Sequence, residues 1–509
     1  MNQSIIKSKK YATMLGYLSI VLSTVANFIL TRIYLKQLGQ DGYGLYQMIY
    51  SIAQYILILD MGISTVMVRN LVDYRNRGDE KGAENFAYHM FLILLAVMTI
   101  IIIVCIVLNA SIESIYTKLS PAEYELSHKM FWIMTGSLSL TIVEHFLKGI
   151  INSKEYFTVT NIFGIATTVI KFIAVTLLLN LGVGVISVAT ADLVTKAVVV
   201  SCAVYIAFAK IKFVIKKHYF DKAILAATAT FMVAMLLQSL STFANNAIDK
   251  TILGIMMTKA DVAVYAIAMT FISVFNMMPT IFTNMFLPEA IRIKNSGQTA
   301  EAYTRLIIRV GRYQFAICGL LLLGFLLCGR DFIALMYGKE SIKAWIIALI
   351  IMIPGLISLS EAAINGVIDA NDKRMLFSKM VLGMSALNIV LTIIMVKSIG
   401  IMGAPISTAI SYFAYYIFAR NIVAKRLFNI NLWQMIREIP QRTVLCLLIA
   451  AIPGIILNNL YPEQYTILLF VCKAIVIILA YTVSMLIFGF SAEEKKSVLR
   501  IIRIRNLNT

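Results

Sequence analysis

Apolar runs of about 20 residues or more succeed one another along the whole chain, bounded by charged residues, glycine or asparagine. As an α-helix, each is long enough to cross the ~30 Å hydrocarbon core of a bilayer. They predict 14 spans, at 11–38, 43–69, 86–108, 128–150, 158–180, 184–209, 222–257, 262–289, 305–328, 343–369, 375–397, 400–424, 442–460 and 464–490. No connection is long enough for a soluble domain. The predicted fold class is therefore all-α, a polytopic membrane protein.

Composition agrees. Of 509 residues, 60% are hydrophobic and 14% charged, against roughly 45–50% and 25% in a soluble domain, which excludes a water-soluble globule. The net charge of +19 does not indicate nucleic acid, because the basic residues are dispersed over short connections rather than gathered on one soluble face. Their sidedness sets the orientation. The N-terminus, alternate loops and the C-terminal tail hold 32 of the 45 Lys and Arg, the opposite loops 8 and the spans 5. Basic loops stay cytoplasmic, so both termini are expected inside.

Cys105, Cys202, Cys318, Cys328, Cys446 and Cys472 lie in or beside apolar runs without paired spacing, and neither a disulfide framework nor a metal site is expected. The basic start, 1–10, leads into a run longer than a signal-peptide core and reads as a retained first span. The tail, 491–509, opens with the capping pattern Ser491-Ala492-Glu493-Glu494 and interleaves Val498, Leu499, Ile501, Ile502 and Ile504 with basic residues. It is expected to lie on the inner leaflet as an amphipathic anchor.

The chain also repeats itself. Leu-Ser-Thr-Val-Ala-Asn at 22–27 returns as Leu-Ser-Thr-Phe-Ala-Asn at 240–245, an offset of 218 that also pairs Arg32 with Lys250. Tyr46 and Gly78 match Tyr265 and Gly297 at 219; Glu144 and Gly149 match Glu361 and Gly366 at 217; Gly182 and Thr190 match Gly400 and Thr408 at 218. The near-constant offset predicts two six-helix lobes, 1–210 and 211–426, followed by two extra helices in 427–490 and the tail. Six spans per lobe make the repeats parallel, and a transporter of that kind places its substrate cavity between them.

Ionisable groups near the bilayer centre cost about 2.5–3.5 kcal/mol each on insertion scales. The spans hold Arg32, Lys171, Lys196, Lys250 and Lys473, the carboxylates Asp60, Glu144, Asp192, Asp249 and Glu361, and His145. Arg32 and Lys250 are repeat-equivalent and expected to face one another across the lobe interface, while Lys171 is too deep to snorkel easily. Asp192 and Lys196, four apart, are spaced for an internal ion pair. Glu144 and Glu361, towards the cytoplasmic ends, suit structural or gating roles. Asp249 points about 100° away from Lys250 and suits a proton, a cation or charge compensation. Lys473 is expected to snorkel. Pro279, Pro288, Pro354, Pro405 and Pro453 are expected to interrupt spans. Asn245, Asn246 and Asn276 offer neutral hydrogen-bonding partners.

The segment Leu38-Gly39-Gln40-Asp41-Gly42-Tyr43-Gly44-Leu45-Tyr46, followed by Asp60-Met61-Gly62 and a basic loop from Arg69, closely resembles the start of the polysaccharide-biosynthesis or oligosaccharide flippases. These Wzx-like proteins belong to the multidrug/oligosaccharidyl-lipid/polysaccharide exporter superfamily. The resemblance covers the twelve-span repeat. It implies two six-helix bundles in a V shape, alternating access to a central cavity, and a polyprenyl-diphosphate-linked oligosaccharide moved from the inner to the outer leaflet of a bacterial cell membrane. Relatives that flip a peptidoglycan precursor line their cavity with basic residues, one of them in the first span, and Arg32 matches that placement.

A diphosphate cannot enter hydrocarbon unaided, so cations in a hydrated cavity are needed; Arg32, Lys171, Lys196 and Lys250 are the candidates. Coupling to H+ or Na+, or gating, would fall to Asp60, Glu144, Asp192, Asp249 or Glu361. No cofactor, metal or catalytic residue is expected, and the chain is expected to act as a monomer among membrane lipids. A cation-coupled drug exporter of the same superfamily should carry a carboxylate in its first span, which here has Arg32 instead. A membrane-embedded glycosyltransferase or ligase using the same lipid should show clustered carboxylates on a large outer loop. The longest outer connection, 109–127, holds only Glu113, Glu123 and Glu125. Capsule, exopolysaccharide, O-antigen and teichoic-acid precursors all fit the chain equally.

Overall fold

The computed structural model describes residues 9–60, 62–219, 228, 232–233, 235–237, 239–240, 243, 247–297, 300–462 and 465–489, apart from the side chains of 9–10, 278–285 and 287–288. Among the described residues there is no strand, and eleven stretches are long and apolar enough to cross a membrane. The protein is thus all-α and polytopic. Tyr11–Asn76 and Arg374–Phe428 each cover two predicted spans. The span predicted at 222–257 is described in part, chiefly over 247–257, while Asn245, Asn246 and the tail lie outside the described residues.

Two compact units, Met1–Ala266 and Ile267–Thr509, make up the chain. The division comes later than the repeat boundary at 210, because residues 247–266 bond to the first unit through contacts described below.

In the first unit, α1 (Lys9–Ala53) is broken into two arms at Gly39, whose φ of 70° and ψ of 178° no helix accommodates. A 3₁₀ turn, Gln54–Asp60, and Gly62 at φ 67° then separate α1 from α2 (Ile63–Asn76). The predicted second span is therefore two helices and a turn. There follow α3 (Glu80–Ala110), α4 (Pro121–Ser153), α5 (Phe157–Asn180), α6 (Ile186–Val204) and the short α7 (Ile248–Met256). Pro121 starts α4 without losing a helical hydrogen bond, and Glu123 caps the same end by accepting from the Ser120 backbone N–H at 2.9 Å. Met130, Met134, Leu138, Ile142 and Ile150 form the buried stripe of α4, which packs against α6 and α2, while α1 runs along α5.

Helix α8 (Lys259–Asn295) starts in the first unit and continues from Ile267 in the second, which goes on with α9 (Ala300–Tyr337), α10 (Lys343–Ser360), α11 (Ala363–Ala370), α12 (Arg374–Ile399), α13 (Gly403–Tyr412), α14 (Arg420–Phe428), α15 (Leu432–Glu438), α16 (Gln441–Leu460) and α17 (Ile467–Ser484). Helix α9 is the spine, packing against α10, α16 and α17. Lipid tails are as apolar as leucine, so packing and interhelical hydrogen bonds hold such helices together. Leu323, Leu327, Ala450 and Ile477 interlock between α9 and the last two helices. The Tyr481 hydroxyl donates to the Ala316 carbonyl at 2.8 Å, and the Asn458 amide to Leu327 at 2.9 Å.

Two sequence expectations are corrected here. Lys473 does not snorkel: its side chain is 2% exposed and its ammonium lies 2.7 Å from Asp331 Oδ2 on α9. A counter-charge one helix away removes the need to reach the interface. Pro405 does not interrupt a span either. It sits in the first turn of α13, after a 3₁₀ turn at Gly400–Met402, where its missing N–H costs no helical bond. Pro354 and Pro453 do lie inside α10 and α16.

Removing one partner of a buried pair strands the other charge, at a cost of about 3–5 kcal/mol, whereas apolar replacement of both is often neutral. Lys473→Met should therefore lower the thermal unfolding midpoint of the purified protein sharply, and Lys473→Met/Asp331→Leu should recover most of the loss. Equal midpoints in all three proteins would show that the pair carries no stability.

Candidate functional site

The ionisable groups of the first unit form three joined clusters on α4, α5, α6 and the turn after α1. Lys171 on α5 lies 2.7 Å from Asp192 Oδ1 on α6, and the other carboxylate oxygen of Asp192 accepts from the Tyr46 hydroxyl at 3.4 Å. One turn further along α6, Lys196 lies 2.7 Å from Glu144 on α4, whose second oxygen is 2.6 Å from Lys148. His145 Nδ1, beside Glu144, is 2.9 Å from Asp60 Oδ1. The internal pair expected between Asp192 and Lys196 is thus not made. An i,i+4 pair contributes only about 0.2–0.5 kcal/mol on an exposed helix. At membrane depth, each side chain instead takes an oppositely charged partner on a neighbouring helix.

Tyr34, Tyr43, Tyr46 and Tyr50 stack in series beside Asp192, with successive ring centroids 5.8, 6.4 and 5.6 Å apart. Tyr34 and Tyr43 come from opposite sides of Gly39, so the stack joins the two arms of α1. Arg32 is exposed on the first arm.

On the second arm, Gln47 accepts from the Lys250 ammonium at 3.2 Å. The next turn brings Ser51 and Tyr55 to the Thr251 hydroxyl, at 3.0 and 3.3 Å. Lys118 donates to the Met256 carbonyl at 2.8 Å, and Lys259 pairs with Glu123. Asp249 is buried and accepts from the Tyr265 hydroxyl at 2.8 Å. Helix α7 and the start of α8 are thereby clasped to α1 and to the connection before α4.

This clasp accounts for the glycine-rich turn. Gly39 supplies a positive-φ conformation, and Gly44 lets two backbones meet: a Cβ there would lie 1.9 Å from the Lys259 carbonyl oxygen.

In the second unit, Glu361 is buried and accepts from Arg420 at 2.6 Å and from Asn421 at 2.8 Å. The guanidinium also lies 5.1 Å from the centre of the Tyr416 ring. Positions matched in the internal repeat share features: Gly78 and Gly297, and Gly182 and Gly400, all have positive φ, and Glu144 and Glu361 are both buried acceptors of cations. Asn276 is half-buried on α8. Among the described residues no three His, Cys, Asp or Glu side chains gather as a metal site.

Residues 6–289, more than half of the chain, match the family described as "Polysaccharide biosynthesis protein". The chain belongs to this family. In fold it is similar to a structure titled "Lipid II flippase MurJ, inward closed conformation", at 14% identity and a TM-score of 0.70 over 94% of this chain and 98% of that one. It is also similar to an inward-facing multidrug resistance MATE family transporter of the MOP superfamily, at 14% identity and 0.63 over 80% and 94%. A MOP superfamily transporter from Pyrococcus furiosus matches at 14% identity and 0.56 over 84% and 97%. Likeness at these identities shows the fold. No curated protein sequence matches the chain. The family resemblance read from the glycine-rich turn is borne out.

Sequence reasoning missed the Tyr stack, Gln47, and the roles of Lys148, Arg420 and Asp331. The two cations had been counted as loop charges and Asp331 lies beyond the predicted end of its span; only the fold shows that they have buried partners. Tyr43 and Tyr46 lie in the glycine-rich segment and Tyr34 and Tyr50 flank it, a spacing legible in the sequence.

Gly44→Ala should destabilise by about 1–3 kcal/mol, the usual cost of overpacking, and Gly39→Ala by about 1–3 kcal/mol through strain in a positive-φ, extended-ψ conformation that is essentially confined to glycine. Gly383→Ala, with open space around it, should leave the unfolding midpoint nearly unchanged. Three equal midpoints would refute the close approach and the strained turn together.

Proposed function

We propose that this protein flips a polyprenyl-diphosphate-linked oligosaccharide from the inner to the outer leaflet during cell-surface polysaccharide synthesis. The observation that carries the reading is a local excess of cations on α4, α5 and α6. There three ammonium groups (Lys148, Lys171, Lys196) stand against two carboxylates (Glu144, Asp192), Asp60 on the turn after α1 being held by His145, and the side chains of Lys171 and Lys196 keep 26% and 22% of their surface accessible. A diphosphate can contact the accessible faces of these ammoniums while they keep their carboxylates, and the surplus ammonium offsets part of its charge. Arg32, exposed on the first arm of α1, and Lys250, which donates to Gln47 on the second arm, are the further candidate cations. The headgroup exchanges partners along this path as the protein exposes it alternately to the two sides, and the polyprenyl tail stays in lipid. Family membership supports the substrate class. His145 against Asp60 suits coupling to a proton gradient, while Asp249 and Glu361, held by Tyr265 and by Arg420, suit gating or structural roles.

The fold is shared with a drug transporter family, but residues 9–38 contain no carboxylate to bind a cationic drug, which makes that reading second. A lipid-using transferase is less supported still: Glu113, Glu123 and Glu125 are engaged with His128, with Ser120 and Lys259, and with Lys129.

Arg32→Gln/Lys250→Gln should abolish surface polysaccharide and let the lipid-linked oligosaccharide accumulate on the inner leaflet, while the protein inserts at its normal level. Export at the wild-type rate in the inserted double variant would remove these two cations from the mechanism. Depletion of the whole protein with no such lipid accumulating would overturn the function itself.

A further inference from the structure

A second basic site lies in the other unit, away from the membrane-embedded clusters. A hollow of about 600 Å³ is lined by Arg312 of α9, Trp433, Gln434, Arg437 and Glu438 of α15, and Arg442 of α16. Besides Arg312, the hollow holds the guanidiniums of Arg437 and Arg442, and its one carboxylate, Glu438, accepts from Gln434 Nε2 at 2.9 Å. The hollow formed by α8 and α9 differs. There Arg309 is held by Glu289 at 2.6 Å, so its basic residues have a counter-ion of their own.

Helix α15 is fixed from below. Met435 and Ile439 are buried in the core of the second unit, the Asn431 side chain caps the helix by accepting from the Gln434 N–H at 3.1 Å, and the Asn431 backbone N–H donates to Thr304. Its other face displays Trp433, 75% exposed, and Ile436, 57% exposed. A rigid helix that holds a bare Trp and Ile beside three Arg presents both halves of an amphiphile's complement. Arg forks bind phosphate oxygens two at a time, and Trp settles at the level of lipid headgroups. The charge rule places this connection, between the predicted spans 400–424 and 442–460, on the cytoplasmic side, where basic hollows suit anionic headgroups.

We propose that this hollow binds the phosphodiester headgroup of an anionic phospholipid, with Trp433 and Ile436 set among the first carbons of its acyl chains. The apolar pair distinguishes a lipid from free phosphate. The site is independent of the flippase reading and would anchor the last two helices to the leaflet whichever substrate is carried.

The chain has three Trp, so Trp132→Phe/Trp345→Phe leaves Trp433 as the sole reporter. In phosphatidylcholine vesicles doped with equal small fractions of brominated lipid, brominated phosphatidylglycerol should gather at Trp433 about fivefold over brominated phosphatidylcholine. It should therefore quench more strongly. Added Arg437→Gln/Arg442→Gln should bring the two quenchers close to equality. With the arginines intact, raising salt should shrink the preference, a test that does not depend on how the variant folds. Equal quenching by both lipids, a preference indifferent to salt, or one that survives the arginine substitutions would overturn the proposal. Loss of the preference in millimolar inorganic phosphate, with chloride at matched ionic strength ineffective, would assign the hollow to free phosphate instead.

Discussion

A charge carried into hydrocarbon must meet its counter-charge inside the protein, and much of the helix arrangement answers to that requirement. Helix α6 shows it most directly. Asp192 and Lys196 stand one turn apart, close enough to pair with each other, yet each reaches a different neighbouring helix. Two interhelical pairs bind α6 to both α5 and α4, where one internal pair would bind it to neither. The pairs thus satisfy the charges and set which helices are neighbours at the same time.

The buried pairs differ in how far they are closed. Lys473 with Asp331 and Arg420 with Glu361 are almost wholly buried, and opening either would strand a charge. Such pairs fix packing. Lys171 and Lys196 are paired just as tightly but stay partly accessible, and Glu144 serves two ammoniums at once. A pair of that kind keeps part of its ammonium open, which the closed pairs do not. The two kinds of pair differ in accessibility, while both have the same chemistry and similar distances.

The glycine-rich segment has an equally physical explanation. Gly39 breaks α1 with a kink, the Tyr stack ties the resulting arms together, and Gly44 allows the Lys259 backbone to come within contact. The bonds of Gln47, Ser51 and Tyr55 to α7 continue the same line of contact. A short motif therefore sets a turn, a tyrosine stack and a helix clasp, and none of these requires a catalytic role for its residues.

The all-α class, the positions of most spans and the presence of expensive charges in apolar runs followed from local composition, and the family from the resemblance of the glycine-rich segment. A run of about 20 apolar residues has few alternatives to a crossing helix, because its backbone must bond to itself in lipid. The partners of those charges were not legible in the same way. Spacing along α6 suggested an internal pair, the lone position of Lys473 suggested snorkelling, and Arg420 read as a loop base. Each depends on what another helix presents at the same depth. Asp331 lies 142 residues before Lys473, and no period within a span relates them. The division at 266 is of the same kind: the repeat marks where a unit is copied in sequence, while bonds from α7 and α8 to α1 decide which residues hold together. Sequence settled which residues must be buried in lipid; only tertiary packing settled which of them meet, because a counter-charge is chosen by proximity in space.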